Sequence, residues 1–404
     1  MKFFFFLLIS AALVTGCNSN ASEADSTVST NTSDIPALFE RTGKLATAVE
    51  WEKTKQKVAE LKEKVEKNPN DVKSRLQIAT IYITEARITG EHPYYYPAID
   101  KILNGALLVD PNNYDATILK ASVKLSQHKF TEAKELAEKA KAINPNNAYA
   151  YGLLVDANVE LGDYDQAIAN SDKMQALKPS LESYSRASYL REIFGDYKGA
   201  IEAMKLAVQA GLPGSEPQCW SRNTLADLYL KTGDLAKAEK EFRINLNLRP
   251  SYAFSLAGLA KIEQTKKNYD GALALLDSAA AVLPEFSFHE QMAEIFALQG
   301  DTEKAQTKYS EVLEMLKEDE ESGHLVSLEL ATVYLKMNKL NEAKKYALME
   351  YKIRPGNIDV NKELAMIAYK EKDLSRFQQY LQTAKRTGSK DPEILELITM
   401  ANKS

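Results

Sequence analysis

The sequence predicts an all-α chain in which consecutive helix hairpins stack into a solenoid. A short segment recurs along the chain every 33 to 38 residues, as expected of a repeat architecture. Between its copies the apolar residues follow helical spacing, as in Leu225, Leu228 and Tyr229, and no segment sustains the period-two alternation of a strand. The chain has 404 residues, 45% hydrophobic and 26% charged, so it has enough apolar material for a large core.

Residues 1–16 have the pattern of an export signal. Lys2 precedes an apolar run, Phe3 to Val14, that is too short to cross a bilayer as a helix. The letters "VTG" then stand directly before Cys17, which resembles the lipobox of bacterial lipoproteins. The resemblance implies that residues 1–16 are removed and that Cys17 is acylated and anchors the chain. A plain secretory signal with an incidental cysteine is the alternative.

Residues 17–34 are predicted to be a flexible lipidated tether, because they contain no aromatic residue and one large aliphatic residue, Val28. Asn18 follows the cysteine, and by resemblance to sorting in enteric bacteria this favours the outer membrane. The mature chain would then face the periplasm or the cell surface, with the lipid as its one membrane attachment. With Cys17 acylated, Cys219 has no partner for an intramolecular disulfide.

Residues 35–71 are predicted to form an N-terminal capping region. Trp51, Val58, Leu61 and Val65 form one apolar stripe on a helix that is otherwise rich in Lys and Glu. A solenoid exposes a hydrophobic face at each end, so this stripe would cover the first repeat. The alternative is a coiled coil that dimerises through the same stripe.

Residues 72–390 contain the repeats, which we count as nine hairpins. The clearest copies of the recurring segment are "GDYDQAI" at 162–168, "GDYKGAI" at 195–201, "GDLAKAE" at 233–239, "KNYDGAL" at 267–273 and "GDTEKAQ" at 300–306, with weaker copies at 128–134, 338–344 and 372–378. Each small residue, such as Ala167 or Ala272, lets two antiparallel helices cross closely. Each Gly ends the first helix in the left-handed conformation, and the Asp after it caps the second helix.

This pattern resembles the tetratricopeptide repeat (TPR), a helix–turn–helix unit with small residues at two fixed places and a terminal proline. The resemblance implies a right-handed superhelix whose first helices line a concave groove for extended peptides or partner segments. The family's groove positions fall on Tyr149, Asp156, Tyr189, Trp220, Asn223, Asp227, Phe254, Lys261, Glu290 and Glu294. No unit has the Lys and Asn pair with which the family grips a C-terminal carboxylate. The alternative for Tyr149, Trp220 and Phe254 is that they pack between neighbouring repeats.

The stretch "EHPYYYPAI" at 91–99 has two interpretations. Its alignment on "GDYDQAI" places Tyr95 in a core position and Pro97 in the first turn of a second helix. Tyr94 and Tyr96 are not explained by the repeat, so we expect them on an enlarged turn, where they could contact a ligand. At the other end, residues 391–404 are predicted to be a C-terminal capping helix that starts at Asp391 and Pro392.

Residue patterns for catalysis or metal binding are not found in the sequence. His92, His128, His289 and His324 lie in different repeats, and Cys219 has no base within helical reach, so we expect no enzyme, cofactor or metal site. The acidic run "KEDEESG" at 317–323 is typical of a solvated loop, although a binding role stays open. The net charge of -5 argues against a nucleic-acid partner. The loops at 210–220 and 315–325 are expected to be longer and more exposed than the other loops between hairpins.

Together these features predict a monomeric, non-catalytic protein-binding or scaffolding lipoprotein of the bacterial cell envelope. It would bind an extended peptide or partner segment in the concave groove. A glycan-binding surface lipoprotein is one alternative, although no insertion in the repeats exceeds about ten residues. An assembly factor for secretion or pili is another.

Overall fold

The computed structural model describes residues 35–46 and 49–403, and every regular element in this part of the chain is a helix. Nine helix hairpins follow one another, with helices before and after them. The helices are α1 (Gly43–Ala46), α2 (Val49–Lys67), α3 (Val72–Thr89), α4 (His92–Val109), α5 (Tyr114–Ser126), α6 (Phe130–Ile143), α7 (Ala148–Leu161), α8 (Tyr164–Leu177), α9 (Leu181–Ile193), α10 (Tyr197–Ala210), α11 (Glu216–Lys231), α12 (Leu235–Leu248), α13 (Ala253–Thr265), α14 (Tyr269–Ala280), α15 (Phe286–Leu298), α16 (Thr302–Glu321), α17 (Ser327–Lys336), α18 (Leu340–Ile353), α19 (Ile358–Lys370), α20 (Leu374–Ala384) and α21 (Pro392–Ala401). The nine predicted hairpins run from α3–α4 to α19–α20.

The register of the repeats is confirmed by its small residues and by its turns. Ala167 and Ala272 are both 0% exposed where the helices of a hairpin cross. Gly162 and Gly233 both have φ of 80°, the left-handed conformation that other residues avoid. In the copies of the segment that lack this glycine, the same position has φ between 58° and 62° and is occupied by His128, Lys267, Asn338 and Lys372.

Both ends of the solenoid are covered as predicted. The stripe on α2 is buried, and α2 packs against α3. At the other end, Asp391 caps α21, and Ile394 and Leu397 pack under it, while Leu395 from the same predicted face is exposed. The repeats are therefore closed at both ends by helices of their own chain.

The first hairpin differs in detail from the prediction. Tyr95 is buried in the core, as predicted, but α4 already begins at His92. Tyr94 and Tyr96 consequently lie within the helix and not on an enlarged turn. Pro97 is in the sixth position of α4, beyond the first turn. The helix starts earlier than the alignment indicated because Pro93 and the turn at Gly90 favour a start there.

The solenoid closes on itself, because the segment that enters the ninth hairpin lies on the third. Arg354 donates to the Glu160 carboxylate at 2.5 Å, and the Asn357 side chain donates to the Glu160 carbonyl oxygen at 2.9 Å. The Ile358 N–H donates to the Tyr164 hydroxyl at 3.1 Å. One turn of the superhelix thus takes six hairpins.

A second contact joins the same two turns. The loop between α16 and α17 lies on the second hairpin, where the Leu325 N–H donates to the Gln127 carbonyl oxygen at 3.0 Å. The His128 ring donates through Nδ1 to the Leu325 carbonyl oxygen at 2.9 Å. We call these two sets of bonds the inter-turn contact; it joins Gln127, His128, Glu160 and Tyr164 to Leu325, Arg354, Asn357 and Ile358.

Most of the acidic run is exposed, as expected, but it is helical and not a loop, and the loop after it is neither unusually long nor exposed. Residues 317–321 form the last turn of α16, and the loop from Ser322 to Val326 is no longer than the loop before α15. His324 and Val326 are buried there, because the loop packs on the second hairpin instead of facing solvent. The residues by which this repeat exceeds the regular length extend α16, and the end of α16 consequently lies next to the inter-turn contact.

Candidate functional site

The two stacked turns enclose a cavity of about 340 Å³ along the axis of the superhelix. The ends of α3, α7, α9 and α11 form one side, and the beginnings of α15, α17, α19 and α21 form the other. We call this space the axial cavity. Its volume lies at the lower end of the range for small-molecule sites. The concave face therefore borders an enclosed cavity and not an open groove, because the inter-turn contact joins the two turns.

Three histidines meet at one end of the axial cavity. The rings of His92 and His324 lie 5.9 Å apart, and Tyr96 lies 5.1 Å from His92 and 5.2 Å from His324. His128 lines the same end. Burial lowers the pKa of His92 to about 3 and that of His324 to about 4, so both rings are neutral at pH 7.

The expectation that the histidines lie apart is therefore wrong for these three. Their repeats are far apart in sequence, but one superhelical turn brings the first hairpin against the loop between the seventh and the eighth. Of the four histidines, only His289 lies away from this end of the cavity, and its Nδ1 is 2.9 Å from Oε2 of Glu311. Among the residues that the structure describes, no group of three or more His, Cys, Asp or Glu side chains is placed to hold a metal ion.

Two carboxylates line the same end of the axial cavity. Burial raises the pKa of Glu285 to about 7, and a lesser contribution comes from Asp319. Burial also raises the pKa of Asp319 to about 6, and Glu318 and Glu329 add to the shift. Neither Glu285 nor Asp319 forms an ion pair within residues 35–46 and 49–403.

The other charged groups of the cavity wall are largely paired. Arg354 bonds both Glu160 and Glu350, each at 2.5 Å. Lys231 bonds Glu192 on the neighbouring helix. Lys362 lies between two acids, Asp359 at 3.6 Å and Glu393 closer. The charges of these wall residues are therefore largely balanced by other side chains of the same protein.

The predicted groove residues Asp156, Asn223 and Asp227 also bond to neighbouring helices. Arg186 donates to Asp156 through Nε at 2.9 Å and through Nη2 at 2.6 Å, and Asp156 is 2% exposed. Asn223 donates to Asp227 at 3.1 Å, and Lys261 donates to the other oxygen of Asp227 at 3.0 Å. The bonds of Arg186 to Asp156 and of Lys261 to Asp227 link the first helix of one hairpin to that of the next. The bond between Asn223 and Asp227 lies within α11, and Asn223 is linked to the next first helix by the Ser255 hydroxyl, which donates to its Oδ1 at 3.0 Å.

A further pair of predicted groove residues is arranged in the same way. Lys336 donates to Glu290 at 2.9 Å and also to Glu294. The lysine comes from α17 and both acids from α15, so the bonds again connect successive first helices. The polar residues of the groove thus fix the angle between hairpins, and a partner would have to compete with these bonds.

The predicted aromatic residues are partly buried between hairpins. Phe254 packs edge-on against Phe288 of the next hairpin, with ring centroids 5.7 Å apart. Trp220 packs against the core formed by α9 to α13. Tyr149 packs against the core of the second and third hairpins, and Tyr189 lines the axial cavity together with Asp156. Their role in partner binding stays a prediction.

Cys219 is buried in the fifth hairpin. Burial raises the pKa of its thiol to about 11, so the sulfur is protonated and a poor nucleophile at neutral pH. Its carbonyl oxygen accepts a hydrogen bond from the Asn245 side chain at 2.7 Å. These contacts make Cys219 part of the packing of α11 against α12.

The predicted export signal, the predicted acylation site Cys17 and the predicted tether all lie outside the described residues. Within the described part of the chain, no helix combines the length and the apolarity that crossing a bilayer requires. The predicted membrane attachment therefore rests on the sequence of residues 1–34.

Two family models match this chain. Residues 197–334 match the model of a tetratricopeptide repeat-like domain, and residues 124–170 match the model of a tetratricopeptide repeat. These matches confirm the repeat type predicted for the two segments, and the hairpins form a TPR-type helical scaffold. The right-handed sense of the superhelix stays a prediction.

Two curated proteins are similar in sequence. The human mitochondrial import receptor subunit TOM70 is 24% identical over 57% of this chain and 39% of its own length. The anaphase-promoting complex subunit CDC16 of Saccharomyces cerevisiae is 28% identical over 33% of this chain and 15% of its own length. The chain thus spans well under half the length of these relatives. Among solved structures, yeast Tom70 covers 88% of this chain and 86% of its own at 15% identity, with a TM-score of 0.44.

Proposed function

We propose that this chain is a non-catalytic, protein-binding scaffold of the bacterial cell envelope, and that a segment of its partner enters the axial cavity. A lipid on Cys17 holds the chain at a membrane, and the polar tether of residues 17–34 separates the repeats from that membrane. Asn18 favours the outer membrane, with the repeats facing the periplasm or the cell surface. The sequence of the export signal supports this part of the proposal.

The axial cavity carries the part of the proposal that concerns binding. Polar groups without partners are rare in buried positions, and they often mark the place of an absent ligand. His324 Nε2 and Arg87 Nη2 are buried in the cavity wall and have no hydrogen-bond partner among the described residues. Glu285 and Asp319 add two carboxylates that form no ion pair in the part of the chain that the structure describes. The remainder of the concave face is occupied by bonds between hairpins, so the cavity is the better place for a partner.

Site-specific photo-cross-linking in intact cells tests this proposal. We would place a photoreactive residue at Glu318, which lies at the edge of the axial cavity and is exposed. The matched control carries it at Glu135, an exposed position on the second helix of the second hairpin. We expect one discrete protein adduct from position 318 and none from position 135. Equal adducts from both positions, or none from 318, would contradict partner binding at the cavity.

A further inference from the structure

One end of the axial cavity is built from the first and seventh hairpins and the loop that follows the seventh. Tyr96 comes from α4, Glu285 from the N-cap of α15, Asp319 from the last turns of α16 and His324 from the loop after α16. All four line the axial cavity. We call them the acid–histidine pocket.

The hydrogen bonds of His324 determine which of its nitrogens carries the proton. Nδ1 lies 2.9 Å from the Ser322 hydroxyl oxygen and 3.2 Å from the Asp319 carbonyl oxygen. The Ser322 hydroxyl donates its own hydrogen to the same carbonyl at 2.7 Å. Both neighbours of Nδ1 therefore act as acceptors, so Nδ1 carries the proton and donates. Nε2 is left with a lone pair, and it can only accept a hydrogen bond.

This Nε2 acceptor is buried without a partner. His324 is 6% exposed, and its Nε2 has no hydrogen-bond partner within the described ranges. The rings of Tyr96 and His92 flank it and offer no donor from their faces. A buried acceptor without a donor is unfavourable unless a ligand or water supplies the hydrogen. Nε2 of His324 therefore lacks a hydrogen-bond donor among the described residues.

Among the described residues, no cation forms an ion pair with either carboxylate of the pocket. Glu285 accepts hydrogen bonds from Ser287 of its own helix, including one from the Ser287 N–H at 3.3 Å. Arg87 lies in the same cavity wall, but in the described part of the chain it forms no ion pair with Glu285 or Asp319. A ligand that completes this pocket would bring positive charge and N–H donors together.

We propose that the acid–histidine pocket binds the cationic end of a lysine or arginine side chain carried by the partner segment. The N–H groups donate to Glu285, Asp319 and Nε2 of His324. A bare metal ion fits less well, because the described residues hold no cluster of ligands at metal-binding distances. This inference rests on the proposed function, since the side chain belongs to the protein partner.

Binding of such a cation should strengthen as pH rises from 5 to 8. In the empty pocket the pKa of Glu285 is about 7 and that of Asp319 about 6. A cation stabilises the ionised carboxylates and lowers both pKa values, so binding releases protons. The histidines are neutral throughout this range, because the pKa values of His92 and His324 are about 3 and 4. The other charged or titratable groups that line the cavity near this end are Arg87, Glu91, His128, Glu318 and Glu329. Lys129 also lies close enough to His324 to lower its pKa.

The test uses the full chain in detergent and three small probes. They are N-acetyl-lysine methylamide, the neutral N-acetyl-norleucine methylamide of similar shape, and butylammonium as a free amine. Long-range ¹⁵N NMR of the histidine rings follows His324 Nε2 during each titration. We expect the lysine probe to shift this nitrogen and to bind about tenfold more tightly than the norleucine probe. Equal binding of these two probes would overturn the pocket. Butylammonium carries the same cationic end as lysine and should displace the lysine probe, and failure to displace it would overturn the assignment to the cationic end.

Variants separate the pocket from general surface charge. Glu285→Gln and Asp319→Asn should each weaken the lysine probe about tenfold, because each removes a carboxylate from the pocket. Glu321→Gln is the matched control, since it removes an exposed acid from the same run and should leave binding unchanged. Unchanged binding in both pocket variants would overturn the inference.

The inference and the proposed function can fail separately. A protein adduct at position 318 that is unaffected by Glu285→Gln and Asp319→Asn would overturn the cation pocket and leave partner binding intact. Charge-dependent binding of the lysine probe without any adduct in cells would overturn partner binding and leave the pocket itself intact.

Discussion

Replacement of Gly162 by Ala tests whether the two turns of the superhelix touch in solution. Gly162 lies between α7 and α8 with φ of 80°, and a Cβ there would stand 2.3 Å from the backbone carbon of Gly356 in the other turn. Gly233 holds the same place in the fifth hairpin, also with φ of 80°, but a Cβ there would meet nothing within 4 Å. Gly233→Ala is therefore a matched control for the backbone strain alone.

The expected difference between these variants follows from the contacts in the two places. Both variants place Ala in the left-handed conformation, which costs about 1–2 kcal/mol in each. In Gly162→Ala the two turns must also separate, which breaks the hydrogen bonds of Glu160, Tyr164 and Arg354 across the inter-turn contact. Three such bonds at about 1 kcal/mol each give a further loss on the order of 2–4 kcal/mol, one of them being charge-assisted.

This loss should appear locally, because hairpins of a solenoid are stabilised by their neighbours and not by the whole chain. The N–H groups of Leu325 and Ile358 both donate across the inter-turn contact. Their hydrogen exchange should be roughly 30- to 1000-fold faster in Gly162→Ala than in Gly233→Ala, since 1.4 kcal/mol corresponds to a factor of ten. Small-angle scattering should also show a larger radius of gyration for Gly162→Ala.

Equal exchange of these two amides in both variants would refute the closed superhelix. The axial cavity would then be an open groove, and the geometry of the acid–histidine pocket would no longer hold. Faster exchange throughout the third hairpin would also refute the reasoning, because it would mean that the added methyl group unfolds the hairpin and does not merely part the turns.

Three further predictions concern the register, the groove and the anchor. Ala272→Leu should overpack the crossing of two helices and lower the free energy of unfolding, measured in urea titrations, by about 1–3 kcal/mol. Ala281→Leu changes an exposed residue and should not lower it. Equal effects of the two substitutions would contradict the register. Asp156→Ala should lower the free energy of unfolding by about 3–5 kcal/mol, because it leaves the buried Arg186 without its partner. Glu239→Ala breaks an exposed pair with Arg243 and should lower the same free energy by under about 1 kcal/mol. Similar losses in both variants would mean that the Asp156 pair is not buried in solution. Cys17→Ser should move the protein from the membrane fraction to the soluble fraction with unchanged helical circular dichroism, and a variant that still pellets with membranes would contradict the lipid anchor.

The fold could be predicted well because its determinants are local. Ala167 and Gly233 are each required by the hairpin in which they lie, and equivalent residues recur in most of the other hairpins. The sequence therefore shows the same pattern many times. The start of α4 was predicted too late, because the alignment carried the boundary of a regular hairpin onto one that begins three residues earlier. Such a boundary depends on the capping residues of one unit, and these do not recur.

The axial cavity could not be predicted in this way, because it depends on how a small rotation per hairpin accumulates over a full turn. A repeat pattern states that each hairpin packs on the next, but it does not state which later hairpin returns to the first. His92 and His324 are 5.9 Å apart for this reason although they belong to different repeats. One trace of the contact is present in the sequence: His128 stands where clearer copies have Gly, and its ring bonds to Leu325. Lys267, Asn338 and Lys372 replace the same Gly, so the departure from the pattern could not by itself identify the contact. The strain of a left-handed histidine becomes understandable only once its partner is known, since the bond to the other turn helps to offset the cost of that conformation.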